Sequence, residues 1–225
     1  MNVAIVVAAG SGSRFGGTTP KQFLDLGGKP LIVHTLERFQ ACPDIDRIIL
    51  VLPENDLSAF IKKYEEFTLS KIMRFAVGGE TRAESVWNGF SAIGEAAEVV
   101  AIHDGARPLV TAAEISACIN KAKDTGAAIL AAPVTDTIKE IRDGRIVRTI
   151  DRSNLRRALT PQCFRYEILQ RAFANADFGA AVTDESFLVE KLGVEVAVVE
   201  GSATNIKVTT PEDLRLVESF LKNIT

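Results

Sequence analysis

Histidine and cysteine are scarce in this sequence. His34 and His103 are the only histidines, too few for a histidine-built zinc site. Cys42, Cys118 and Cys163 are scattered, with no Cys-x-x-Cys pair. They are expected to be reduced structural thiols, and the protein is expected in the cytoplasm, a reducing compartment. Neither sign of charge dominates: the net charge is -3. That argues against a general nucleic-acid binder and against a membrane-surface protein, so any anion must be recognised by a local cluster. No apolar run approaches ~18 residues, so no membrane span is expected. A first strand beginning at residue 3 leaves no room for a leader peptide, and none is expected. Internal repeats and low-complexity linkers are also missing. What is present is 225 residues, 47% hydrophobic and 24% charged, enough for one α/β domain over residues 1–225 with a substantial core.

The chain is organised around its first loop. Val3 to Val7 is an uninterrupted apolar run of the kind a strand buried on both faces needs. It leads into Ala8-Ala9-Gly10-Ser11-Gly12-Ser13-Arg14-Phe15-Gly16-Gly17, then Pro20-Lys21-Gln22. Glycines at the end of a strand let backbone N–H groups approach a ligand and form an anion-binding nest. With Arg14 and Lys21 beside it, the loop reads as a triphosphate cradle. A dinucleotide fingerprint fits poorly, because its last glycine is replaced by Phe15 and no acidic residue ends a second strand about 20 residues on. This disfavours a nicotinamide-dependent dehydrogenase. No Gly-Lys-Ser/Thr follows either, so the loop is not a Walker A motif. A glycine-rich turn with two solvated cations is the plain alternative, and Pro20 weighs against it by fixing the approach of Lys21.

Strands and helices then alternate. Helical spacing covers Leu31–Cys42, Leu57–Phe67, a segment from Thr81 to about Gly94, Thr111–Asp124, Tyr166–Asp177 and Thr183–Leu192. Thr81/Glu84 and Thr111/Glu114 read as capping boxes, and Thr210-Pro211-Glu212-Asp213 as the start of a last helix. Further strands are read at Ile48–Leu52, Ile72–Val77, Val99–Ile102, Ala127–Ala132 and Val194–Val199. The pattern predicts a mostly parallel sheet covered on both faces, with ligands gathering at the carboxyl ends of strands. One stretch departs from it. Thr137–Arg142, Asp143-Gly144 and Arg145–Asp151 read as a β-hairpin too polar for the core, an exposed arm.

Asp104 ends one buried run, where a carboxylate is costly unless a metal ion or donor satisfies it. Mg²⁺ bridging triphosphate oxygens suits that position; an aspartate capping the turn at Gly105 is the alternative. His103 reads as a packed, hydrogen-bonded residue, Trp87 as packing beneath the Gly79 loop, and Arg156 and Arg157 as solvated charges. Thr183 fits an N-cap, a ligand contact, or both.

Taken together, the motifs resemble those of the 2-C-methyl-D-erythritol 4-phosphate cytidylyltransferases, over nearly the whole chain. They are Ala-Ala-Gly-x-Gly-x-Arg with Pro-Lys-Gln, Gly79-Glu80-x-Arg82-x-x-Ser85, His103-Asp104-Gly105-Ala106-Arg107-Pro108, Pro133-Val134-x-Asp136-Thr137, Asp151-Arg152, Leu159-Thr160-Pro161-Gln162, Thr183-Asp184-Glu185 and Asn205-Ile206-Lys207. The resemblance implies a three-layer, Rossmann-like nucleotide-diphospho-sugar transferase fold with a protruding β-arm at 137–160. It implies transfer of CMP from CTP to methylerythritol phosphate with Mg²⁺, and a homodimer joined through that arm. By matching position, Arg14 and Lys21 stabilise the transition state, while Arg152 and Lys207 hold the acceptor phosphate. Ala8, Ala9, Gly10, Gly12, Ser13, Gly79, Glu80, Ser85, Asp104, Ala106 and Arg107 would serve the nucleotide, Asp104 also serving the metal. Thr137, Thr160 and Thr183 would serve the acceptor. Some family members carry an acidic residue just before Asn-Ile-Lys, where this chain has Ser202-Ala203-Thr204. A ribitol 5-phosphate cytidylyltransferase shares several of these motifs and is the rival within the class. Intact Arg14, Lys21 and Asp104 argue against a catalytically silent dimeric binding protein.

Overall fold

The apolar run at the start of the chain becomes β1 (Asn2–Val7), the strand on which the sheet is built. The computed structural model describes residues 1–10, 15, 20–64, 66–94, 97–176 and 182–222. A short ladder, β2 (Asp25–Leu26) with β3 (Lys29–Pro30), precedes α1 (Leu31–Ala41). Then come β4 (Arg47–Leu52), α2 (Glu54–Tyr64), β5 (Ile72–Val77) and α3 (Arg82–Ser91). They are followed by β6 (Val99–Asp104), α4 (Ala112–Thr125) and β7 (Ala127–Pro133). The hairpin is β8 (Ile138–Arg142) and β9 (Arg145–Ile150). The chain closes with β10 (Arg156–Arg165), α5 (Tyr166–Ala174), α6 (Glu185–Lys191), β11 (Ala197–Glu200) and α7 (Pro211–Lys222).

Seven strands form one sheet in the order β11-β7-β10-β6-β1-β4-β5. All its pairings are parallel except those of β10, which runs antiparallel between β6 and β7. Alternate residues of β1 face opposite layers, as the pleat demands. Ala4 and Val6 join the core under α1 and α4, and Val3 and Ile5 the core under α3, α5 and α6. Burying one such Val or Ile is worth roughly 1.5–3 kcal/mol, against about 1 kcal/mol for a helix cap. The core therefore decides that a helix forms, and the cap decides where it begins. Both capping boxes are made, with Thr81 accepting from the Glu84 N–H and Thr111 from the Glu114 N–H.

Element ends differ from the sequence reading where polar residues hide them. α2 starts at Glu54 rather than Leu57, with Glu54 and Asp56 in its first turn, where acids suit the dipole. The cap of α6 is Asp184, whose side chain accepts from the Phe187 N–H, so Thr183 stands outside the helix. The last strand begins at Ala197 rather than Val194. Trp87 is partly exposed and lies against Phe90 and Phe173.

The arm is a separate two-stranded ladder. Asp143 and Gly144 have φ of 49° and 73°, the positive values a two-residue type I′ turn requires.

Candidate active site

β1 separates strands that wind outward in opposite directions, β4 on one side and β6 on the other, so the crevice beyond its carboxyl end is a topological switch point. Register pairs Val7 with Asp104. The loops leaving these strands are pinned there: the Ala8 N–H donates to Val51 O at 2.8 Å and the Gly105 N–H to Val7 O at 2.8 Å. A cavity of about 500 Å³ opens above them. Ala8, Ala9, Gly10, Lys21, Gly79, Glu80, Ser85, Asp104, Ala106 and Lys207 all line it.

On the wall formed by the start of α3, the Gly79 N–H donates to Ser85 Oγ at 3.1 Å, and the Ser85 hydroxyl donates to Thr81 O at 2.9 Å. Gly78 brings this loop hard against β1: a Cβ there would lie 2.2 Å from Ala9 Cβ. On the opposite wall, Lys21 opens a 3₁₀ turn (Lys21–Phe23) after Pro20, and its Nζ donates to Val208 O at 3.1 Å.

Asp104 is the electrostatic centre. Its Oδ1 accepts from Arg82 Nε at 3.0 Å, and its Oδ2 from Lys207 Nζ at 3.0 Å and, at a longer 3.4 Å, from Arg107 Nε. Burial alone would push this carboxyl up, but Arg82, Lys207 and Arg107 outweigh it and hold Asp104 well below the usual carboxylate range. Arg82 also donates through Nη1 to both oxygens of the buried Glu185, at 2.7 and 2.9 Å. Burial pushes the Glu185 carboxyl up, against the pull of Arg82.

Behind Asp104, a closed ring of hydrogen bonds holds the loop. Thr160 Oγ1 accepts from the Asp104 N–H at 3.2 Å and lies 3.0 Å from His103 Nδ1. His103 Nε2 is 3.2 Å from Arg107 O, Arg107 Nη1 donates to Asn205 O at 2.8 Å, and Asn205 Nδ2 donates to Thr160 O at 2.9 Å. Burial lowers the His103 pKa to about 3, so its imidazole is neutral. Thr160 then donates to Nδ1 and Nε2–H donates to the carbonyl, and neither nitrogen is left for proton transfer.

The cavity thus joins an electropositive wall to a wall of backbone and hydroxyl groups, the combination a polyphosphate with a polar base requires. A family model described as IspD, 2-C-methyl-D-erythritol 4-phosphate cytidylyltransferase, matches residues 2–223. The chain belongs to the IspD family. It is 47% identical over 226 residues to the 2-C-methyl-D-erythritol 4-phosphate cytidylyltransferase of Syntrophus aciditrophicus, covering 98% of this chain and 95% of that one. The fold superposes on the 4-diphosphocytidyl-2C-methyl-D-erythritol synthase of Anaerococcus prevotii with a TM-score of 0.85 at 30% identity, over 99% and 96% of the two chains. The 2-C-methyl-D-erythritol 4-phosphate cytidylyltransferase of Thermus thermophilus gives 0.79 at 32% identity, over 99% and 100%. As an IspD, the protein is a cytidylyltransferase that uses CTP and 2-C-methyl-D-erythritol 4-phosphate. The ribitol phosphate and dehydrogenase readings are set aside.

The remaining expected residues fall in three places. Gly12, Ser13 and Arg14 lie outside the described residues. Arg107 and Thr160 stand behind Asp104 rather than on the cavity wall. Thr137, Arg152 and Thr183 are exposed and do not line the cavity; Arg152 donates to Thr135 O at the base of the arm. Five lining residues were not assigned to the site from sequence: Val7, Gln22, Thr81, Arg82 and Thr209. Gln22 and Arg82 stood inside quoted motifs, Val7 ends the first apolar run, Thr81 is the cap beside Arg82, and Thr209 lies two residues past Lys207.

Proposed function

We propose that the acceptor phosphate of methylerythritol phosphate attacks the α-phosphorus of CTP in line, within the cavity beside β1 and β6. A phosphate oxygen forms the new P–O bond while the bond to the β-phosphate breaks, and pyrophosphate leaves. The attacking phosphate is already ionised, so the step needs no base, in keeping with a neutral, fully bonded His103. Its demand is for alignment and for neutralisation of charge. Lys21 and Arg14 meet that demand at the triphosphate. Gly79, Glu80 and Ser85 hold the cytosine, with Ala8, Ala9, Gly10, Gly12, Ser13, Ala106 and Arg107 framing the nucleotide. Lys207 and Arg152 hold the acceptor phosphate, with Thr137, Thr160 and Thr183 on the acceptor side.

A magnesium ion fits Asp104. A carboxylate has about four lone-pair directions, and three are engaged by Arg82, Lys207 and Arg107, which leaves Oδ1 able to take one more partner. Mg²⁺ asks for no more than one protein carboxylate when phosphate oxygens and water complete its shell. Among the described residues no group of three His, Cys, Asp or Glu side chains could hold a metal by itself, which is consistent with an ion brought by the triphosphate. When bound, it would offset phosphate charge.

The arm from 137 to 160 is read as exchanged across a homodimer, so that Arg152 completes the partner's site. Ile141, Ile146 and Val147 support this, since they are 55%, 64% and 51% exposed on the hairpin and call for a cover. The reaction is placed in the cytoplasm, where nucleoside triphosphates are made and three buried thiols stay reduced. Among the described residues, no helix is long and apolar enough to cross a membrane.

The observation that carries the reading is the contact of Lys207 with Asp104 in the same cavity as Lys21 and Ser85. A pyrophosphate-release assay with CTP tests it. Release with methylerythritol phosphate is expected to fall when Lys207 is replaced by alanine; undiminished release by folded Lys207→Ala would remove Lys207 from the site.

A further inference from the structure

Among the described residues, Asp104 and Glu185 are the buried carboxylates, and only Asp104 has a part in the reaction above. A buried carboxylate is costly unless paired. Glu185 begins α6, and both its oxygens are given to one nitrogen, Nη1 of Arg82. The same guanidinium reaches Asp104 through Nε alone, at Oδ1. Asp104 Oδ2 is thereby left to Lys207 and Arg107. This sorting is not what an arginine facing a carboxylate adopts unaided. The favoured geometry is the two-pronged grip, with parallel N–H groups on both oxygens. Turned to that grip, Arg82, whose side chain is 28% exposed, would compete with Lys207 for Oδ2.

We propose that Glu185 is a positioning residue for the acceptor. By holding Arg82 at Nη1 it confines that arginine to one oxygen of Asp104 and reserves the other for Lys207, fixing the ammonium on which the acceptor phosphate docks. The proposal rests on the reading of Lys207 as an acceptor-phosphate ligand.

Glu185→Gln tests it, since the amide keeps the volume but loses the charge that holds Arg82. Steady-state kinetics should show the acceptor KM raised roughly tenfold, the size of one charge-assisted hydrogen bond lost, with the KM for CTP within about twofold of wild type. In a Lys207→Ala background the same change should leave the acceptor KM unmoved, because the ammonium it positions is gone. Two results overturn the inference: an unchanged acceptor KM in folded Glu185→Gln, or a full effect that persists without Lys207, which a merely structural role would produce. If Lys207→Ala alone leaves the acceptor KM unaltered, the Lys207 reading itself fails, and that outcome is distinct from the other two. Should Glu185→Gln not be recovered folded, Glu185→Asp takes its place. It keeps the charge but shortens the reach, and the same rise and the same dependence on Lys207 are expected.

Discussion

Gly78→Ala asks whether the base-facing loop must lie directly on the end of β1. Gly78 does not have a positive φ, so alanine is acceptable to the backbone and the objection is steric alone. The added Cβ would sit 2.2 Å from Ala9 Cβ and 3.1 Å from Ser85 Oγ. Apolar carbons settle at about 3.5–4.0 Å, so roughly 1.5 Å of separation must be found. β1 cannot supply it, because Val7 is paired on both sides, to Val51 and to Asp104. The loop must yield, and with it the bond from the Gly78 N–H to Leu52 O and the bond from the Gly79 N–H to Ser85 Oγ. Overpacking of this kind costs about 1–3 kcal/mol, which for a chain of this length lowers Tm by roughly 2–10 °C. A shift of about 1 Å in a substrate-positioning loop costs up to ~10²-fold, so kcat/KM for CTP should fall between about 10- and 100-fold. Thermal denaturation and kinetics with varied CTP read both effects. Adding Ala9→Gly removes the clashing methyl, leaves Ala9 Cα at 3.6 Å, and should restore most of each. Wild-type Tm and CTP kinetics in Gly78→Ala would refute the reasoning, as would a double variant no better than the single one.

Three other outcomes are expected. Lys21→Ala should lower kcat by on the order of 10²-fold or more, the usual size of a lost transition-state charge contact; near-normal turnover of the folded variant would remove Lys21 from that role. Mixing inactive Lys21→Ala and Arg152→Ala chains and letting subunits exchange should restore roughly a quarter of the wild-type sites, because half the dimers are mixed and each regains one site; no recovery in dimers confirmed as mixed by mass would place Arg152 in its own subunit's site. Cys42, Cys118 and Cys163 are all free and buried, and burial raises the Cys163 thiol well above its ordinary value. A thiol reagent at pH 8 should label none of them in the native protein and all after denaturation, and rapid native labelling would contradict that burial.

What the sequence disclosed depended on how local its signals are. β1 and β4 carry continuous apolar runs, Val3–Val7 and Ile48–Leu52, the capping boxes span four residues each, and the Asp143-Gly144 turn names its own geometry, so each could be read without a structure. β10 could not be assigned a direction. It opens on Arg156-Arg157 and carries Thr160-Pro161-Gln162, so no alternation marks which face is buried. The α6 cap falls one residue beyond Thr183 because Thr183 and Asp184 are adjacent oxygen-bearing caps, and aspartate is the stronger of the two. In the site, Asp104 and Lys21 were legible as charges next to a buried run and glycines, and Lys207 by its place in the Asn-Ile-Lys motif. Arg82 with Glu185 was not, since the two lie 103 positions apart and a pair of opposite charges carries no periodicity to announce it.

β10 has one further consequence, for how this chain tolerates changes of length. Its first residues leave the base of the arm, and a few positions later Thr160 takes the N–H of Asp104. The peripheral hairpin and the residue that holds the Asp104 backbone are therefore successive stretches of one extended segment, paired with β7 from Arg156 and with β6 from Gln162. Residues added at the Asp143-Gly144 tip would only lengthen the hairpin. Between Ala158 and Gln162 the register of β10 on β7 already shifts, so one residue added or removed before Thr160 is either taken up in that irregularity or drags Thr160 off Asp104. Length can thus change at the tip of the arm without reaching the site, whereas a change at its root reaches Asp104 through Thr160, and a designer grafting a new arm onto this scaffold should cut before Arg156.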